Sequence, residues 1–112
     1  MERVKHLILC NMTHGTAKQP LVDALQDRRD FHTRKGTRSG KVMAWGYTGI
    51  CDFCHNDTLY RIYSYDTLIF EDCSHCKFQD FSSRYYSKTT LTLQRSINEA
   101  FKLNKDYLLS RT

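Results

Sequence analysis

Two Cys-x-x-Cys pairs constrain this chain more than any other feature. They are Cys51-Asp52-Phe53-Cys54 and Cys73-Ser74-His75-Cys76, with the 18 residues 55–72 between them. That is the spacing of a four-cysteine zinc site. Thiolates bind Zn2+ strongly in tetrahedral geometry, and two residues between paired cysteines let one tight turn present both sulfurs to one ion. Four protein ligands leave the ion no open position for water or substrate. The Zn2+ expected at Cys51, Cys54, Cys73 and Cys76 is therefore structural.

Other uses of the cysteines are weaker. A disulfide framework suits exported small domains, but residues 1–20 lack the pattern of a signal peptide: Met1-Glu2-Arg3-Val4-Lys5-His6 is followed only by the short apolar stretch Leu7 to Cys10, broken by Asn11. A thioredoxin-like motif needs a βαβ setting that the sequence does not display, and it leaves one pair unused. Cys51 to His55 fits the C-x-x-C-H pattern of c-type haem attachment, which also needs export. The remaining alternative is a histidine ligand, His55 or His75, in place of one cysteine. Cys10 lies on an apolar run and reads as a small buried hydrophobe.

A chain of 112 residues makes one domain, 1–112, with a thin core. In such a chain a metal adds folding energy, on the order of 10 kcal/mol in small zinc peptides. No stretch approaches the roughly 20 apolar residues of a membrane span. With reduced cysteines, the expectation is a soluble cytoplasmic protein with no membrane partner.

The net charge of +5 is unevenly placed: residues 1–50 carry nine Lys/Arg against four Asp/Glu, and residues 51–112 carry eight of each. Much of the excess sits in the run from Arg28 to Lys41, which has two glycines and few apolar residues and reads mostly as a loop. Such a run is either solvated surface or a contact for phosphates or an acidic protein face. Arg28, Arg29, Arg34, Lys35 and Arg38 are the candidate partner contacts.

The apolar run Val4 to Met12 favours a strand, His14-Gly15-Thr16 a turn, and Pro20 with Leu21, Val22, Ala24 and Leu25 a helix. Val42 to Tyr47 reads as a strand leading into the first cysteine pair. Thr58 to Tyr65 and Thr67 to Glu71 read as two strands, with Leu59 and Arg61 on one face and Tyr60 and Ile62 on the other. Two strands between two cysteine pairs is the layout of a zinc ribbon. Phe78, Phe81, Tyr85 and Tyr86 mark a further strand or aromatic loop. Thr89 or Thr90 is the expected N-cap of a C-terminal helix, with Leu91, Leu93, Ile97, Ala100, Phe101, Leu103 and Leu108 on its apolar side and Arg95, Glu99, Lys102 and Lys105 opposite. The fold class expected is α+β: an antiparallel sheet with a zinc-ribbon-like four-cysteine site and a packed C-terminal helix. Residues 1–48 form an N-terminal element with the basic loop, and 49–112 the zinc-clamped sheet and helix.

Seven tyrosines, Tyr47, Tyr60, Tyr63, Tyr65, Tyr85, Tyr86 and Tyr107, suit strands. Beside basic residues they also stack bases or anchor interfaces. No Ser-His-Asp order or paired-carboxylate motif stands out, and a closed zinc site denies metal hydrolysis, so no enzyme is expected.

Ile62-Tyr63-Ser64-Tyr65-Asp66-Thr67-Leu68-Ile69 and Tyr85-Tyr86-Ser87-Lys88-Thr89-Thr90 are similar to a small bacteriophage domain with a Tyr-Ser-Tyr-x-Thr strand and a Tyr-Ser-x-Thr-Thr entry to a helix. The match covers about the last half of the chain. As a small single domain without a catalytic constellation, the chain also resembles anti-CRISPR proteins. That resemblance carries over no site residue. It implies a phage protein in the bacterial host cytoplasm that binds a type II RNA-guided DNA endonuclease, or its guide-RNA complex, and blocks target-DNA loading. A basic chain is unsuited to DNA mimicry. The alternative is a zinc-ribbon nucleic-acid-binding accessory of phage transcription or replication. The inhibitor predicts capture of the nuclease without affinity for free DNA; the accessory predicts nucleic-acid binding that weakens steeply with salt.

Overall fold

A computed structural model describes residues 7–10, 18–34, 42–82 and 84–103. The expectations for the turn at residues 14–16, for Lys35, Arg38, Lys41, Lys105, Tyr107 and Leu108, and for the side chain of Cys10 lie outside the described residues. The chain runs β1 (Leu7–Cys10), α1 (Lys18–Gln26), β2 (Phe31–Arg34), β3 (Val42–Gly49), β4 (Leu59–Ser64), β5 (Thr67–Cys73), β6 (Gln79–Phe81) and α2 (Lys88–Phe101). This is an α+β fold on one six-stranded sheet in which spatial order follows chain order. The sheet is mixed: β1 pairs with β2 in parallel, and every later pair is antiparallel.

Three expectations are corrected by the N-terminal half. The sheet is not purely antiparallel. A βαβ unit is present, because two parallel neighbours need a crossover and α1 supplies it. The basic run is not loop throughout, because Phe31–Arg34 is an inner strand between β1 and β3, while residues 35–41 lie outside the described residues. Its period of two is real: Phe31 and Thr33 are fully buried, while His32 and Arg34 face the other way. The polar side chains on the outer positions hid that alternation. The N-terminal residues are thus half of the sheet, not an appendage to it.

Both helices lie on one face. Leu21, Val22 and Leu25 of α1 and Leu93, Ile97 and Ala100 of α2 bury against Phe31, Ala44, Tyr60, Ile62, Ile69 and Phe70. On β4, Tyr60 and Ile62 point into this core, as their alternation predicts. Gly46 permits the close packing there: a Cβ at that position would stand 2.4 Å from the Phe31 ring and 3.1 Å from the Tyr60 hydroxyl.

Pro20 sits in the first turn of α1, where a missing N–H costs nothing. Arg28, at φ 52°, turns the chain just past its end. The N-cap of α2 is Ser87, two or three residues before the expected Thr89 or Thr90, and its Oγ accepts from the Thr90 N–H at 3.2 Å. At the far end Lys102 takes φ 52° and its N–H bonds to the Asn98 carbonyl. Between β4 and β5 the two-residue connection Tyr65-Asp66 lacks glycine or asparagine, so Tyr65 itself adopts φ 53°. The Tyr65 N–H is satisfied by the Met43 carbonyl of β3 at 2.8 Å.

Candidate metal centre

The four cysteines stand at the open end of the β4–β5 hairpin. Cys51 and Cys54 belong to the β3–β4 connection, Cys73 ends β5, and Cys76 lies in the turn toward β6. Because Leu59 pairs with Cys73 across the hairpin, the register brings the two turns together.

The two turns repeat one backbone design. In the first, the His55 N–H bonds to the Cys51 carbonyl at 2.9 Å and the Cys51 N–H to the Asn56 carbonyl at 2.9 Å. In the second, the Lys77 N–H bonds to the Cys73 carbonyl at 3.0 Å and the Cys73 N–H to the Phe78 carbonyl at 2.8 Å. The residue after each second cysteine is left-handed, His55 at φ 61° and Lys77 at φ 67°. Each turn therefore curls around a point in front of its two sulfurs. The equivalence with Lys77 gives His55 a backbone role. His75 points its Nδ1 at the Asn56 side chain, 3.2 Å away. Among the described residues neither histidine joins the sulfur cluster.

The four sulfurs lie within 4.8 Å of one another. Cys51 Sγ is 3.7 Å from Cys76 Sγ, and Cys54 Sγ is 3.6 Å from Cys73 Sγ. A disulfide requires about 2.05 Å, and all four thiols are free. A tetrahedron of sulfurs around Zn2+, with bonds of about 2.3 Å, has edges of about 3.8 Å. The residues thus fit a tetrathiolate metal, and their distances do not fit disulfides.

Cys51 and Cys73 are buried with Leu59, while Cys54 is half-buried and Cys76 exposed. Phe78 packs on this small cluster, and Phe53 leans over it with ring centroids 4.7 Å apart. Hydrogen bonds reach the sulfurs directly. Thr58 Oγ1 is 3.2 Å from Cys73 Sγ, and the Cys76 N–H points at the same sulfur from 3.4 Å. The Asn56 N–H holds the Cys54 thiol down to about 5, and the Thr58 hydroxyl helps bring Cys73 to about 7. At Cys76 the Phe78 N–H favours the thiolate, but burial and the neighbouring sulfurs outweigh it and push the thiol up to about 11. Thiols this close cannot all lose their protons unless a cation compensates the charge.

Of the candidate contacts, the three described residues, Arg28, Arg29 and Arg34, are dispersed. Arg28 turns inward: its guanidinium donates to the Asp72 carboxylate and, at 3.1 Å, to the Asp72 carbonyl, and it lies 5.5 Å from the centre of the Phe101 ring. Its half-buried position lowers its pKa by desolvation. Arg29 is half-buried, and its carbonyl accepts the Tyr60 hydroxyl at 2.7 Å. Arg34 stands on the sheet face away from the helices, donating through Nε to His32 Nε2 at 3.0 Å.

That second face gathers two of the seven tyrosines, Tyr47 and Tyr63, with Trp45, which the sequence did not single out. Neighbouring strands place Trp45, Tyr63 and Tyr47 side by side. Tyr63 lies 5.9 Å from Trp45 at 24° and 5.8 Å from Tyr47 at 11°. His32 is directly opposite Trp45 on β2, and Ile8 of β1 opposite His32. Toward the cysteine cluster, Arg61 pairs with Glu71 at 3.2 Å and donates to the Ile50 carbonyl at 3.3 Å. The shared parity of Trp45 and Tyr47, against Tyr63 on the next strand, was the signal available in the sequence.

Comparison with models of protein families, with curated proteins and with solved structures gives no match.

Proposed function

We propose that Cys51, Cys54, Cys73 and Cys76 hold one structural Zn2+ and that the hairpin they close is a zinc-ribbon-like unit. The sulfur spacing and the exclusively thiolate donor set support this reading, since soft sulfur ligands select Zn2+ or iron over Mg2+ and Ca2+. With four protein ligands the ion has no position at which to activate water. Its role is to tie the two cysteine turns to the sheet.

The function supported best is then binding without catalysis, and the partner class is nucleic acid, as for an accessory protein of phage transcription or replication. The observation that carries this reading is the second sheet face. Its aromatic row lies on and beside strands drawn from residues 1–50, the half of the chain that holds the whole charge excess. Fluorescence anisotropy with labelled DNA and RNA across a salt series tests it. Binding that falls steeply with salt is expected; no binding at low salt would overturn it.

A second reading, inhibition of a type II RNA-guided DNA endonuclease in a bacterial host cytoplasm, draws support from the same face, because Trp, Tyr and Arg anchor protein interfaces. Target loading depends on PAM recognition and stepwise strand exchange, which a ligand on the nuclease or its guide RNA can block. Capture of the nuclease from host lysate, retained after nuclease digestion of nucleic acid, would favour inhibition. Loss of the captured material on digestion would favour the nucleic-acid reading.

A further inference from the structure

We infer that the sheet face carrying Trp45, Tyr63 and Tyr47 is a stacking platform for unpaired nucleotides, with the sugar-phosphate chain running over β2 at His32 and Arg34. The inference rests on the nucleic-acid reading above and names its site and its ligand.

Three observations support it. Both helices cover the opposite face, and the rings of this one remain within reach of solvent, Tyr47 being 39% exposed. The rings stack on one another in a nearly parallel row, with tilts of 24° and 11° between neighbours, so a base extends the row at the outer faces of Trp45 and Tyr47. An open sheet of this kind stacks two or three bases, provided that the bases have a free ring face. In a duplex those faces are already stacked, so the row favours single strands. The third observation is the distribution of charge across the sheet. Arg34 lies on the β2 side of the aromatic row, directed by its Nε–H bond to His32. Glu71, paired with Arg61, lies on the β5 side. Because Arg61 compensates Glu71, Arg34 on the β2 flank is the cation toward which a phosphate chain is drawn. The shared chemistry is an unpaired base with its phosphate, whether from single-stranded DNA or from RNA.

Trp45 is the single tryptophan of the chain and therefore reports on its own site. The test titrates the zinc-loaded protein with twelve-nucleotide oligo(dT), oligo(U) and a duplex of equal length, following tryptophan emission and the anisotropy of the labelled strands. Both single strands should quench Trp45 emission and bind at least tenfold more tightly than the duplex. Tyr63→Ala and Tyr47→Ala should each weaken binding about tenfold. Arg34→Gln should weaken it less and lower the salt slope by about 0.7. Zinc content and the thermal midpoint of the Tyr47 and Arg34 variants serve as controls for folding. Equal affinity for duplex and single strand, untouched by the three variants, would overturn the platform while leaving nucleic-acid binding in place. No binding of any oligonucleotide would overturn both. A dimer that Tyr47→Ala dissociates, with no oligonucleotide response, would assign the face to a second copy of the chain and overturn the inference.

Discussion

The hydroxyls of Ser64 and Thr90 meet 2.7 Å apart in the core. Ser64 is the serine of Tyr63-Ser64-Tyr65 at the end of β4, and Thr90 opens α2 within Tyr86-Ser87-Lys88-Thr89-Thr90. Ser87 Oγ completes the network, donating to Thr90 Oγ1 at 3.2 Å while capping the Thr90 N–H. The two short motifs therefore meet at one structural junction that docks the helix start on the sheet. Ser64→Ala should cost about 1–2 kcal/mol, because it leaves a buried hydroxyl short of a partner. Ser87→Ala should cost about 1 kcal/mol through the lost cap. Urea unfolding of the two single variants and the double variant checks this, with non-additivity expected since the residues share one network.

Arg28 is better tested as part of the fold than as a contact. It joins the end of α1 to Asp72, the residue before the third cysteine, and Gln79 Nε2 satisfies the other Asp72 oxygen at 3.0 Å. Removing one partner of a buried pair costs about 3–5 kcal/mol. The guanidinium is 33% exposed, so solvent screening reduces the expected cost of Arg28→Ala to about 2 kcal/mol. Any binding defect in this variant then has to be read beside its unfolding curve. Arg34→Gln should leave stability within about 0.5 kcal/mol of the parent, as surface changes generally do.

Tyr60 gives the fold an alkaline limit. Burial, aided by the Asp30 carboxylate, raises its phenol far above the usual value of about 10. The folded chain holds the proton while the unfolded chain releases it, so the stabilisation is complete below about pH 10 and declines as pH rises above that point. Tyr60→Phe should flatten this alkaline decline. At neutral pH it should cost about 1 kcal/mol, since the Arg29 carbonyl loses its donor. Thermal melts from pH 7 to 11 measure both effects.

His55 and Lys77 occupy left-handed positions that glycine adopts without strain. His55→Gly and Lys77→Gly should each preserve metal binding and change stability by no more than about 1 kcal/mol, in the stabilising direction. His55→Val should be destabilising, because a branched Cβ suits that conformation worst. A histidine acting as a ligand would behave differently: His55→Gly would then lower metal affinity sharply.

What the sequence disclosed depended on how local the signal was. The cysteine spacing is local, and β4 and β5 follow from an alternation that one strand displays by itself. β2 escaped because its outer positions, His32 and Arg34, are polar enough for the whole segment to resemble a basic loop. The parallel pairing of β1 with β2 escaped because partner choice across a helix is written in no single window. Charge alone marks Arg28 as a surface contact, yet its partner Asp72 lies 44 residues away. The aromatic row likewise exists only once β3 and β4 are in register.

Metal content is the most direct measurement of the central claim. Protein purified under reducing conditions should carry one Zn2+ per chain, with X-ray absorption giving four sulfur neighbours at about 2.3 Å. Cys51→Ser and Cys73→Ser should lose the metal and much of the stability together. A folded chain that is metal-free, or that keeps its thermal midpoint after exhaustive chelation, would contradict the account.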